Sequence, residues 1–146
     1  TTILNPEALA LVRRAGVPEG IAYHDWWLYQ LVAGAGGRLV LDPRPMARYR
    51  QHQANALGGS GGGRGAGRRL AQVLDGTWKR QMLAQARALQ RVADLLTPEA
   101  QRQLAAFLAA PAAGPARALA LRRIGLRRSS RAGTALMLAA ACLGRI

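Results

Sequence analysis

The sequence predicts a mainly helical α/β chain, with a small β element near its amino-terminal end and a helical region after it. Three observations predict this. Half of the 146 residues are apolar but only 5% are aromatic, so Leu and Ala must do most of the packing, and both favour helix. Apolar residues recur at spacings of three and four from Leu70 to Leu96, the period of one helix face. Short strand-like runs occur near 1–4, 38–42 and 46–51, with Pro43 and Pro45 between the last two, as expected of short or edge strands. The length suits one domain with a real core.

Thr1 to Leu4 read as a strand. Asn5-Pro6-Glu7 reads as a helix start: Asn caps, Pro fits the first turn, and Glu suits the positive end. Leu9, Leu11 and Val12 lead to Gly16, a stop. Residues 17–20 form a loop, and a second helix begins around His24-Asp25-Trp26-Trp27, with Asp25 at or near its N-cap. That helix runs through Leu28, Leu31 and Val32 and loosens at Gly34, Gly36 and Gly37. Residues 38–42 read as a short strand and 46–50 as a second, paired with it or at an edge. Residues 58–67 are a flexible loop by composition. The apolar face of one long helix then takes in Leu70, Val73, Trp78, Met82, Ala86, Leu89 and Leu96, weakened by about 1 kcal/mol at Gly76 relative to Ala. Thr97-Pro98-Glu99 starts a helix that ends near Pro111. Residues 112–115 are a hinge, and 116–126 and 130–143 are two further helices. The chain thus divides into 1–57, a Gly-rich 58–67, and a helical 68–146.

The formal charge is +14 and uneven. Up to Gly63, six Arg face four acidic residues. From Arg64 onward, fourteen Arg and Lys79 face only Asp75, Asp94 and Glu99, a net +12. Such a half attracts polyanions: nucleic acid, anionic lipid or diphosphates. The single cysteine, Cys142, cannot form an internal disulfide and reads as a small hydrophobe. The uncharged stretch nearest the carboxy-terminal end, Ala132 to Gly144, has 13 residues, short of the ~20 that span a membrane. The chain begins at Thr1 inside a strand-like run. It reads as a cut through a longer protein, the alternative being a start after processing.

Two clusters carry chemistry. In His24-Asp25-Trp26-Trp27, a carboxylate at a helix start can take the proton of a sugar hydroxyl as it attacks an anomeric carbon, which is general-base work. Trp26 or Trp27 can stack on a sugar face. The same residues also read as a capping Asp followed by core tryptophans. In Tyr49-Arg50-Gln51-His52 with Asn55, Arg50 and His52 alternate along a strand and so share a side. They suit a diphosphate, or His52 a divalent metal; the cluster also reads as an ordinary polar strand end.

Taken together, "TTILNPEAL" and "HDWWLYQLVAGAGGRLVLDPRPMARYRQHQANALGG" resemble the second half of bacterial family-2 glycosyltransferases of the rhamnosyltransferase-like kind. The resemblance covers about the first 60 residues, and the helical remainder matches only in character. It implies the C-terminal portion of a GT-A fold and an inverting transfer of sugar from a nucleotide-sugar donor to a saccharide or lipid-linked acceptor in surface polysaccharide synthesis. It further implies Asp25 as catalytic base, His24, Trp26 and Trp27 as acceptor-binding, and Arg50 and His52 on the donor-diphosphate side, with His52 a metal ligand. A divalent metal, Mg or Mn, is implied for the full-length enzyme. The family's nucleotide-binding half with its Asp-x-Asp motif has no counterpart in these residues, so this chain alone is expected to be inactive.

Arg117, Arg122, Arg123, Arg127, Arg128 and Arg131 are interleaved with Leu119, Leu121, Ile124 and Leu126, and the following segment is apolar. A basic amphipathic helix beside an apolar one can lie on an anionic membrane. The resemblance implies lipid-linked acceptors at the cytoplasmic face, so the expected location is cytoplasmic, peripheral at the inner face of the cell membrane; a helical hairpin that packs on the missing half, with its arginines solvated, is the alternative. A competing function is a basic nucleic-acid-binding module, supported by the +12 half and by Lys79 and Arg80 beside Trp78. A helical protein-interaction module is the third. With half of the cleft absent, apolar surface is expected to be exposed, and self-association would cover it.

Overall fold

The computed structural model describes residues 2–42, 44, 71–128 and 130–146. The expected strand at 46–51, the Gly-rich segment 58–67, and Arg50, His52 and Asn55 lie outside the described residues. The fold is mainly helical. In chain order it has α1 (Pro6–Ala15), α2 (His24–Gly34), α3 (Thr77–Arg91), a 3-10 turn (Ala93–Leu95), α4 (Pro98–Ala109), α5 (Gly114–Arg123) and α6 (Arg131–Cys142).

Local chemistry sets the ends of these helices. The side chains of Asn5, Thr97 and Ser130 accept hydrogen bonds from the backbone N–H groups of Ala8, Ala100 and Gly133, starting α1, α4 and α6, and Pro fills the first turn of α1 and α4. Gly16 closes α1 with φ 69°, a conformation that suits glycine at a helix end. The N-cap of α2 is Tyr23, in extended backbone and without a side-chain cap. Asp25 lies one residue inside the first turn rather than at the cap.

Two expectations are corrected. The long helix from Leu70 is interrupted. Residues 71–74 are helical, Asp75 and Gly76 form a turn, and α3 starts afresh at Thr77. Gly76 has φ 75°, which costs an L-residue side chain about 1–2 kcal/mol, so the chain resets there although the apolar period continues across it. The strands expected at 2–4 and 38–42 are also not formed: no strand occurs among the described residues. A strand needs a neighbour to take up its N–H and C=O groups, and the expected partner at 46–51 lies outside the described residues. Leu41 is 93% exposed.

Two apolar cores share α3. One joins Ala86 of α3 to Phe107 of α4, Leu121 of α5, and Met137 and Ala141 of α6, with Ile146 closing it. The other joins Trp27 and Leu31 of α2 to Ala88 of α3 and Leu96, with Leu11 and Val12 of α1 packed on it. Leu31 and Leu121 are fully buried, each worth about 1.5–3 kcal/mol of transfer free energy. Polar ties fix the layout. The Trp27 indole N–H donates to the Gly16 carbonyl at 3.0 Å. Gln85 Nε2 donates to the Tyr23 carbonyl at 2.9 Å, and the Thr97 N–H donates to the Gly34 carbonyl at 2.8 Å. Both ends of α2 are therefore held, and with them the start of the helix that carries Asp25.

Candidate functional site

Asp25 is exposed, in the first turn of α2, where a negative side chain suits the positive end of the helix. The two ion pairs among the described residues, Asp42–Arg44 and Glu99–Arg102, leave its carboxylate uninvolved. It borders an open groove of about 1110 Å³ whose other walls come from residues 2–5, Trp26, Tyr29 and residues 37–41. Asp25 and Tyr29 are four apart and so share a face of α2. His24 is exposed beside them.

The two tryptophans separate. Trp26 is half-buried and reaches the groove. Its ring lies 4.8 Å from that of Tyr23 and 5.0 Å from that of Trp78, the latter edge-on at 76°. Such contacts hold the ring at a set angle. Trp27 is 1% exposed and its N–H is already used at Gly16, so the acceptor contact expected of it has no surface on which to form. Trp27 is a core residue because it lies four positions before Leu31 on the face of α2 that packs against Ala88 of α3 and Leu96.

Sequence reasoning missed Tyr29 and the second part played by Trp78. Tyr29 carries a signal in its spacing from Asp25. Trp78 was assigned to the core face, and it does pack on that core. It also faces Trp26 and has the Arg128 guanidinium 5.7 Å over its ring. The basic run is divided as well. Arg117 is 3% exposed and donates to the Pro111 carbonyl at 2.8 Å and to the Ile146 carbonyl. Burial pushes its pKa down from the ordinary value; an arginine nonetheless keeps its charge. Arg122, Arg123, Arg127, Arg128 and Arg131 are exposed. Lys79 donates to the carbonyls of Ala112 and Gly144, both at 3.0 Å, and Arg80 to Thr77 Oγ1 at 2.8 Å. These two cations are committed within the chain.

Three carboxylates are held below the usual range by their partners: Asp42 by the side chain and then the backbone N–H of Arg44, Asp75 by the backbone N–H and then the hydroxyl of Thr77, and Glu99 by Arg102 and then Gln103. None of them borders the Asp25 groove. Among the described residues no group of three His, Cys, Asp or Glu side chains is placed to hold a metal ion. The residues around Asp25 therefore do not form a donor set for the divalent metal that the resemblance implies, and no chemical step is assigned through one. No helix among the described residues is long and apolar enough to cross a membrane. Comparison with protein-family models, with curated proteins and with solved structures finds no match for this chain.

Proposed function

We propose that this chain forms the acceptor side of an inverting glycosyltransferase, with Asp25 as the general base. The observation that carries the reading is an exposed carboxylate, outside both ion pairs, at the rim of an open groove beside Trp26 and Tyr29. It stands on the motif run from His24 to Gly59. The acceptor sugar lies against Trp26, and one of its hydroxyls donates to Asp25. As the hydroxyl oxygen bonds to the anomeric carbon of the donor, its proton passes to the carboxylate. The bond from that carbon to the diphosphate breaks, the nucleoside diphosphate leaves with the electron pair, and attack opposite the leaving group inverts the centre. The base contributes typically 10²–10⁴-fold. Arg50 and His52 act on the diphosphate side, and the donor half, with its metal, comes from residues outside this chain. In an enzyme that joins the two halves, Trp26→Ala raises the acceptor KM several-fold and leaves the donor KM unchanged. Equal changes in both, or in neither, contradict the assignment of Trp26.

The same enzyme works at the inner face of the cell membrane, held by the α5–α6 hairpin. Leu136 and Leu143 are 72% and 70% exposed, and exposed Arg122, Arg123 and Arg131 lie on the same two helices. Apolar side chains among arginines suit an anionic lipid surface. The chain is expected to float with anionic liposomes at low salt and to be released at high salt; no binding at low salt contradicts the attachment. A nucleic-acid-binding function has less support, because Lys79 and Arg80 are engaged with carbonyl and hydroxyl oxygens of the chain itself.

A further inference from the structure

Asp25 and Trp26 sit in the first turn of α2, which starts at Tyr23 without a side-chain cap. An uncapped first turn leaves backbone N–H groups unpaired and frays, so other contacts must set the angle at which Trp26 meets the groove. Helix α3 supplies them. Gln85 Nε2 donates to the Tyr23 carbonyl, and the Trp78 ring lies edge-on to Trp26 with the ring centres 5.0 Å apart. Trp78 is in turn covered by Arg128, whose guanidinium stands 5.7 Å over the ring. Arg128 belongs to the segment between α5 and α6, and its backbone N–H donates to Thr134 Oγ1 of α6 at 3.0 Å. A continuous line of contacts therefore runs from Thr134 through Arg128 and Trp78 to Trp26, from the basic tail to the groove beside Asp25.

We propose that Trp78 is a positioning residue for the acceptor contact of Trp26, and that Arg128 holds Trp78 in place. The inference rests on the reading of Trp26 as a sugar-stacking ring, and it extends the acceptor site beyond the motif run that ends at Gly59. A free tryptophan ring turns about its side-chain bonds and must be immobilised when a sugar stacks on it, which costs roughly two- to ten-fold in affinity. Trp78 removes that freedom on one side, because an edge-to-face pair prefers a set orientation. Tyr23 limits the ring from another side, at 4.8 Å. The Arg128 cation is attracted to the negative face of Trp78 and so restrains Trp78 itself. Trp78 is half-buried and also packs on the core formed by α3 to α6, whereas Arg128 is exposed and can be changed without opening that core.

The purified chain is titrated with the methyl glycosides of glucose, galactose and rhamnose. Binding is followed through the indole N–H resonance of Trp26 in isotope-labelled protein, assigned by its loss in Trp26→Phe. The expected result is saturable movement of that resonance with at least one glycoside. Trp78→Leu weakens this binding roughly three- to ten-fold, and Trp78→Phe, which restores a ring edge, returns it to within about two-fold of the native chain. Arg128→Gln shifts the Trp26 resonance in the absence of sugar, at unchanged helix content, and Arg128→Lys restores it. The proposal is overturned if Trp78→Leu binds the glycoside as the native chain does, if Trp78→Phe fails to restore the affinity, or if Arg128→Gln leaves the resonance where it was. Each of these outcomes leaves Trp26 as an acceptor contact. Should Trp78→Leu lose helix content, the Arg128 pair decides alone. If no glycoside moves the Trp26 resonance of the native chain, the acceptor reading of Trp26 fails, and this inference fails with it.

Discussion

Arg117 belongs to a run of six arginines between 117 and 131, yet it alone is buried, tying α5 to Pro111 and Ile146. Its partners are backbone carbonyls, which no residue type marks, so the sequence does not distinguish it from its solvated neighbours. Arg117→Met leaves those carbonyls without donors and is expected to cost about 1–3 kcal/mol, read as a lower urea midpoint. Arg122→Met on the exposed side of the same helix should change it little. The tryptophan pair gives a second case. Trp27 shares its helix face with Leu31, whereas Trp26 shares its own with Tyr29 and Gln30; the sequence reading did not separate the two, because both lie beside the same motif residues. Trp27→Ala is expected to cost about 3–5 kcal/mol, as for other buried aromatic truncations, and Trp26→Ala clearly less. Equal losses in chemical denaturation contradict the placement of the two rings.

Helix starts were the most legible elements. Asn5, Thr97 and Ser130 each sit where a side-chain oxygen meets an unpaired N–H, so α1, α4 and α6 begin close to where the residues indicate. The start of α3 was not legible, because apolar spacing runs unbroken from Leu70 past Gly76 while the backbone turns there. Gly76→Ala forces a side chain into a left-handed conformation and should destabilise the protein by about 1–2 kcal/mol. Asp75 supports the same turn by accepting from the Thr77 N–H at 2.8 Å, which holds its carboxyl below the usual range. A depressed folded-state pKa contributes stability above the unfolded value, near pH 4, and loses it as pH falls through the folded value. Asp75→Ala is therefore expected to lower the urea midpoint at pH 7, with the difference from the native chain shrinking toward pH 2. A constant difference across that range assigns the effect to something other than the ionised carboxylate. The strands at 1–4 and 38–42 were read from β-branched and aliphatic runs. Such runs say that a segment can pair, not that a partner is at hand, and among the described residues none pairs with residues 2–4 or 38–42.

At the scale of the whole molecule, α3 serves two cores at once, with Ala86 facing one and Ala88 the other. Through the second core, α3 helps to hold α2, and α2 presents Asp25 to the open groove. The candidate site was legible as far as Asp25 and Trp26, because the cluster sits at a helix start that packing exposes. The proposed donor side rests on a sequence motif alone, since Arg50 and His52 fall outside the described residues. The proposed transfer therefore turns on Asp25, and it is tested by the rate of sugar transfer by an enzyme that joins this chain to a nucleotide-binding half, compared with its Asp25→Asn form. The Asp25→Asn form is expected to lose about 10²–10⁴-fold in kcat at unchanged helix content and donor affinity. An Asp25→Asn enzyme that transfers sugar within a few-fold of the native rate contradicts it.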